Sequence, residues 1–322
     1  MSDQAFPLHD EFLLAIGGWG RNRKPINDIE AYDYKINRWV EVKKKERPRA
    51  YYGCVFFNGS VYCVGGVRSK LLKSARRLDL GTCTWHKMPS MHYRRCYVSV
   101  AVLNGCIYAM GGYNGWRRLK TAEVYDPQTN QWSKIARMNE RRSDASCATL
   151  NGKIYICGGF SGKKFLQTVE SYCAEINQWS IVAPMTTRRS GLAVVAYANS
   201  IYAVGGYDGN RRLRSVEAYS PCTDSWRQVA SMTTARSNFG IEVLDDRIFA
   251  VGGFNGSSIT TCVESYDPLV DTWTEARDMV MFRSGLTCCV ISGIENMADY
   301  VTAHDILQHE SDEPESGENT LP

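Results

Sequence analysis

Residues 201–226 read IYAVGGYDGNRRLRSVEAYSPCTDSW. A short apolar run ends in Gly205-Gly206, a basic stretch follows, Glu217 and Tyr219 sit on a second run, and Trp226 closes the segment. Paired glycines recur at Gly17-Gly18, Gly65-Gly66, Gly111-Gly112, Gly158-Gly159 and Gly252-Gly253, at spacings of 48, 46, 47, 47 and 47 residues. A tryptophan follows each pair: Trp39, Trp85, Trp132, Trp179, Trp226 and Trp273. Seven residues before it stands Tyr32, Tyr125, Tyr172, Tyr219 or Tyr266, with Glu30, Glu123, Glu170, Glu217 or Glu264 two residues earlier; the second repeat has Leu78 and Arg76 instead. Met91, Met138, Met185, Met232 or Met279 comes six residues after the tryptophan, and only the first repeat lacks it, at Lys45.

Each repeat reads as four short strands, for example 191–197, 201–204, 215–219 and 225–229. Turn signals such as Asn58-Gly59, Asn104-Gly105 and Asn151-Gly152 lie between the first and second, and Asp126-Pro127 and Asp267-Pro268 open the turn between the third and fourth. A period near 47 with four strands predicts a six-bladed β-propeller of the all-β class. A strand at 12–16 begins the chain as the second strand of its repeat, and an unpaired first strand at 284–291 ends the last. The two are expected to meet in one mixed blade that removes the open edges. The glycine pairs permit positive φ where blades crowd, and the Tyr and Trp supply packing area.

Six copies of this pattern resemble the kelch repeat, over residues 12–291, and in particular the substrate-binding domain of the BTB-BACK-kelch family. The resemblance implies a protein-binding propeller serving as the substrate-recognition part of a cullin-3 ubiquitin ligase adaptor. Cullin-3 itself is implied as a partner only if BTB and BACK domains stand upstream. The alternative is a free-standing kelch scaffold or cytoskeleton-binding protein.

The composition, 44% hydrophobic and 22% charged, is that of a globular domain, and no apolar run is long enough for a membrane helix. With no signal peptide read at the start, the expected setting is cytoplasmic, without membrane partners. Of twelve cysteines, most lie in apolar runs, as do Cys54, Cys147, Cys157, Cys288 and Cys289, and they read as reduced core residues. Cys54 and Cys63 could face each other in a hairpin, but no disulfide is expected. Residues 1–11 read as a leader. Residues 292–322 hold eight acids and no Lys or Arg, an acidic and mostly disordered tail, while residues 1–291 carry a formal +12.

Antiparallel neighbours place the 2-3 and 4-1 loops on one rim. The 2-3 loops are basic: Arg21, Arg23 and Lys24; Arg68, Lys70 and Lys73; Arg117, Arg118 and Lys120; Lys163 and Lys164; Arg211, Arg212 and Arg214. Ten residues after every repeat tryptophan is an arginine: Arg49, Arg95, Arg142, Arg189, Arg236 and Arg283. Small residues at positions 12, 14 and 16 after the tryptophan suggest that even positions face the channel. If that parity extends back to position 10, six arginines ring its mouth. The same arginines could instead bond loop carbonyls or pair with acids of an adjacent blade. Trp19, Tyr113, Phe160, Tyr207 and Phe254, just after the glycine pairs, would add aromatic anchors; Val67 breaks the series. Planar guanidinium forks suit an acidic or phosphorylated segment of a protein partner. In the kelch-like family this rim is the degron-binding surface, so the resemblance implies the same place.

No enzyme is expected. His86 and His92 make no copper-oxidase site, and the Ser-x-Asp-x-Gly-x-x-Trp boxes of sialidases, the nearest enzymatic rival, are missing. No phosphate-binding glycine loop appears, and no cofactor or metal is called for. The +12 body could hold RNA, but the repeat already accounts for the interleaved aromatics.

Overall fold

The computed structural model describes residues 11–42 and 47–293. They form six four-stranded antiparallel sheets arranged as blades around a central channel, and no helix occurs among the described residues, so none is long and apolar enough to cross a membrane. Blade 1 consists, from the channel outward, of Thr287–Ser292, Glu11–Ile16, Ile29–Asp33 and Arg38–Glu41. Blade 2 comprises Gly53–Phe57, Ser60–Val64, Ala75–Asp79 and Thr84–Lys87; blade 3, Ser99–Leu103, Cys106–Met110, Ala122–Asp126 and Gln131–Ile135. Blade 4 comprises Ser146–Leu150, Lys153–Cys157, Val169–Cys173 and Gln178–Val182. Blade 5 holds Ala193–Tyr197, Ser200–Val204, Val216–Ser220 and Ser225–Val229, and blade 6 Gly240–Leu244, Arg247–Val251, Val263–Asp267 and Thr272–Glu275.

The ring closes as the repeat count predicts. The last strand pairs with the first, Phe12 opposite Ile291 and Ile16 opposite Thr287, so the innermost strand of blade 1 comes from the far end of the propeller. Leaders and tails expected at 1–11 and 292–322 lie almost wholly outside the described residues.

Apolar cores lie between blades, not within them. Each repeat Tyr packs on its Trp with ring centroids 4.9–5.4 Å apart. The indole N–H then reaches back to the preceding blade: Trp132 donates to the Pro89 carbonyl, Trp179 to Ala136, Trp226 to Ala183 and Trp273 to Ala230, at 2.8–3.0 Å. Trp39 repeats the contact across the seam, to Arg277. The tyrosine hydroxyl donates to an Asn or Asp five residues on, as Tyr172 does to Asn177 and Tyr219 to Asp224.

The glycine pairs serve the rim. At Gly158 φ is +62°, and a Cβ there would lie 2.3 Å from the Arg189 carbonyl oxygen, so only glycine fits. The amide of Gly159 donates to that same carbonyl, 2.7 Å, which ties blade 4 to the loop entering blade 5. Cys54 and Cys63 do stand opposite each other in blade 2 as free thiols, Cys63 Sγ donating to Cys54 Sγ at 3.9 Å.

Candidate functional site

The 2-3 and 4-1 loops share one rim, but its arginines do not stand where strand parity puts them. The arginines ten residues after each tryptophan do not line the channel mouth: Arg95, Arg142, Arg189, Arg236 and Arg283 are fully buried and Arg49 nearly so. Arg142 turns away from the channel into the gap between strands 2 and 3 of blade 4. It donates to the carbonyls of Gly158 and Thr168, to the Thr168 hydroxyl and to the Glu170 carboxylate. Glu170 also accepts from the backbone amides of Asn139 and Glu140, so one buried ion pair pins the whole 4-1 loop to the blade below it. The same clamp joins Arg95 to Glu123, Arg189 to Glu217, Arg236 to Glu264 and Arg283 to Glu30, with N–O distances of 2.6–3.0 Å. In blade 2, where Arg76 replaces the glutamate, Arg49 bonds the Gly65 and Ser74 carbonyls. These six side chains are therefore scaffold and leave the candidate site.

The predicted parity fails at position 12. Tyr51, Tyr97, Asp144 and Asn238 there all have φ between +53° and +54°, and Gly191 and Gly285 have +61° and +60°. This left-handed step rotates the residues before it out of phase with the strand that follows. Each of the six amides donates to the carbonyl of its counterpart in the preceding blade: Tyr97 to Tyr51, Asp144 to Tyr97, Gly191 to Asp144, Asn238 to Gly191, Gly285 to Asn238 and Tyr51 to Gly285, at 2.7–3.2 Å. The mouth is thus framed by a closed ring of backbone hydrogen bonds.

What remains exposed on the rim is the set of 2-3 loops. Their tips are held by side chains of the tip itself. Asn114 Oδ1 accepts from the amides of Trp116 and Arg117, Ser161 Oγ from Lys163 and Lys164, and Asp208 Oδ1 from Asn210 and Arg211. Arg117 and Arg211 project from these tips, exposed to solvent. Arg118 and Arg212, one residue on, fold inward and stack. The Arg118 guanidinium carbon lies 4.3 Å from the Tyr113 ring centre and 5.2 Å from that of Phe160 in the next blade. Phe160 meets Phe165 at 4.9 Å, Phe165 meets Tyr207 edge-on at 5.3 Å, and Arg212 sits 4.4 and 4.9 Å from Tyr207 and Phe254. Tyr113, Arg118, Phe160, Phe165, Tyr207, Arg212 and Phe254 form one stacked belt across blades 3 to 6, each half-buried. Trp19, on blade 1, stands apart beside Tyr51, ring centres 6.2 Å apart.

Two members of this rim escaped the repeat analysis. Phe165 completes the belt between the two arginines. Trp116, 92% exposed at the tip of blade 3, is the most exposed large apolar side chain of the rim. Its signal was available: besides Trp19, it is the one tryptophan outside the repeat spacing.

The channel below the mouth is a cavity of about 470 Å³ lined by position-12 to position-16 residues, among them Asp144, Ser146, Ala148 and Glu242. Desolvation pushes the carboxyls of both Asp144 and Glu242 up to about 7. The folded chain then keeps a proton on Glu242 between pH ~4.5 and ~7, where the unfolded chain has released it, so this group's contribution to stability is present at low pH and lost as pH rises through that window. Glu242→Gln is expected to remove that part of the decline, raising stability above neutrality by about 3 kcal/mol at most. Urea midpoints measured on both proteins across the window check this, and parallel pH profiles would show that Glu242 is already well solvated in the channel.

A search against family models matches the Kelch motif six times, at residues 9–45, 48–92, 94–139, 141–186, 188–233 and 235–280. The chain belongs to the kelch-repeat family. Among curated proteins it is similar to Kelch-like protein 41a of Danio rerio, 32% identical over 102 residues, 31% of this chain and 17% of that protein. It is also similar to Kelch repeat and BTB domain-containing protein A55 of Vaccinia virus (strain Western Reserve), 30% identical over 112 residues, 34% of this chain and 20% of that one. The matches thus span a fifth or less of these relatives' lengths. Among solved structures, "Structure of YjhT" superposes with a TM-score of 0.68 at 17% identity, covering 77% of this chain and 89% of that one, a likeness of fold. The final strand, Thr287–Ser292, lies beyond the last matched kelch motif although it closes the first blade.

Proposed function

We propose that the stacked belt of blades 3 to 6, with the exposed tips Trp116, Arg117 and Arg211 above it, binds an acidic or phosphorylated segment of a partner protein. On this reading the chain is a recognition module without catalytic activity of its own. The observation that carries it is the pair of guanidiniums, Arg118 and Arg212, each seated beside two aromatic rings of adjacent blades. Their Nε atoms are anchored on Ser143 and Ser237, at 3.2 and 3.4 Å. A pre-oriented fork loses little freedom when it meets a carboxylate or phosphate, and the flanking rings offer apolar contact to the residues beside the acid. The likeness to BTB-containing kelch proteins supports the wider proposal of a cullin-3 ubiquitin-ligase substrate receptor, with cullin-3 engaged through BTB and BACK domains joined to this propeller. The runs at 94–100 and 236–242 resemble kelch-like protein 10, and on this reading the propeller works in male germ cells.

Arg118→Ala with Arg212→Ala is expected to weaken binding of a fluorescent poly-glutamate peptide by about 100-fold, two charge-assisted bonds at roughly 1.5 kcal/mol or more each. The melting temperature should change little, since neither arginine joins a buried clamp. Fluorescence anisotropy at physiological ionic strength gives the measurement. Unchanged affinity in a folded double variant moves the site elsewhere, first to the opposite rim, where Ile36, Ile176, Leu269 and Val270 are exposed.

A further inference from the structure

The channel mouth differs in character from the belt beside it. Three of its six position-12 residues, Tyr51, Tyr97 and Asp144, are consecutive around the ring, and their side chains lean toward the preceding blade. Tyr51 shows the direction: a Cβ on Gly285 would lie 2.4 Å from its Cε1, so its ring fills the space that glycine leaves. Asn238 fills the space over Gly191 in the same way. Tyr97 packs on Tyr51 with ring centres 4.4 Å apart, and Trp19 extends the row on the other side. The row ends at the Asp144 carboxylate, which borders the cavity. Left-handed backbone is costly for a tyrosine, and glycine holds the same position in two blades, so the ring itself does not require these side chains.

Three adjoining aromatic rings, whose π-systems carry negative charge on their faces, and a carboxylate beside them make surroundings complementary to a positive charge. The donor set is too poor in oxygen for a calcium or magnesium ion, which takes six or more. It suits a cation whose charge is spread over C–H and N–H groups. We propose that the channel mouth binds an alkylammonium group, seated on Tyr51, Tyr97 and Trp19 with Asp144 as its counter-ion. This goes beyond the belt reading, and joined to it describes a lysine carried among acidic residues, the acids on the belt and the ammonium in the mouth.

The groups that face Asp144 fit this assignment. Its Oδ2 accepts from Ser143 Oγ, 3.3 Å, and Ser143 Oγ accepts from Arg118 Nε, whose guanidinium also acts on the carboxylate and draws its pKa down against the effect of burial. The hydroxyls of Tyr51 and Tyr97 and the thiol of Cys96 complete the surroundings, all pushed upward by burial and therefore neutral. Among the described residues no ion pair forms with Asp144. With its carboxyl near 7, an arriving cation meets a group that ionises across the neutral range, so binding should strengthen from about pH 6 to about pH 8.

The test uses n-butylammonium as probe and n-butanol as its neutral counterpart, followed by tyrosine fluorescence. Asp144→Asn and Tyr97→Gly are the variants of choice, because Asn and Gly already occupy the equivalent position in blades 5, 6 and 1, so the ring should persist. The expected result is saturable binding of butylammonium over butanol, stronger at the higher pH and about tenfold weaker in each variant. No preference over butanol, or full affinity in Asp144→Asn, overturns the proposal. A second arm compares the peptide Glu-Glu-Lys-Glu-Glu with its norleucine analogue. A lysine preference that Asp144→Asn abolishes assigns the cation to a partner protein. Equal binding of the two peptides, with butylammonium still recognised, assigns the site to a free amine. If neither peptide binds, the acidic-segment reading of the belt fails while the butylammonium result stands by itself.

Discussion

Replacing Arg189 with alanine is expected to destabilise the propeller by about 3–5 kcal/mol, because it leaves the Glu217 carboxylate buried without its counter-charge. Glu217 would keep its bonds from Thr186, the Gly205 carbonyl would lose the Arg189 donor, and the Ser215 carbonyl would keep only the Gly205 amide of its two. The melting temperature should fall by about 6 °C or more for a domain of this size. Differential scanning calorimetry of Arg189→Ala, Glu217→Ala and the double variant gives the coupling between the two. An apolar exchange of both, Arg189→Met with Glu217→Leu, should cost much less, since it removes the charges together. Should Arg189→Ala melt like the wild type, water must enter the clamp freely. The same burial governs binding experiments: alanine at Arg142, Arg189 and Arg236 together would unfold blades before any effect on a partner could be read.

The second large effect concerns closure. A chain ending at Met281 is expected to lose cooperative unfolding altogether. It would lack the Thr287–Ser292 strand, the Arg283–Glu30 clamp and the Leu286, Cys288, Cys289 and Ile291 side chains that fill the seams on both sides of blade 1. Phe12 to Ile16 would become an open edge. Adding a peptide of residues 282–293 should restore protection of that strand against hydrogen exchange. A truncated chain with the full melting transition would mean that the seam contributes little.

The blade count, closure and shared rim were legible because they rest on features that must recur in every blade: the glycine pair that admits a carbonyl, the Tyr–Trp pair and the hairpin turns. The role of the recurring arginine was not. Period-two reasoning carries along a strand, but it cannot pass a left-handed residue, and Tyr51 and Tyr97 mask the hint of one that Asp144, Gly191, Asn238 and Gly285 give at the same repeat position. The partner glutamate was visible at its place in the repeat, yet its pairing with an arginine 28 residues earlier is a matter of which blade each loop enters. The belt was half legible. Tyr113, Phe160, Tyr207 and Phe254 recur, whereas Phe165, Arg118 and Arg212 occupy one loop position with different chemistry, and only the fold shows that they interleave.

The closed ring of six amides at the channel mouth also fixes an aperture. Every link joins a different pair of blades, so the opening cannot widen at one point without breaking a bond there and straining the other five. A belt of side chains can adapt to its guest by changing rotamers. A hoop of backbone cannot, so whatever enters the channel meets an opening whose size is set by the fold and not by the guest.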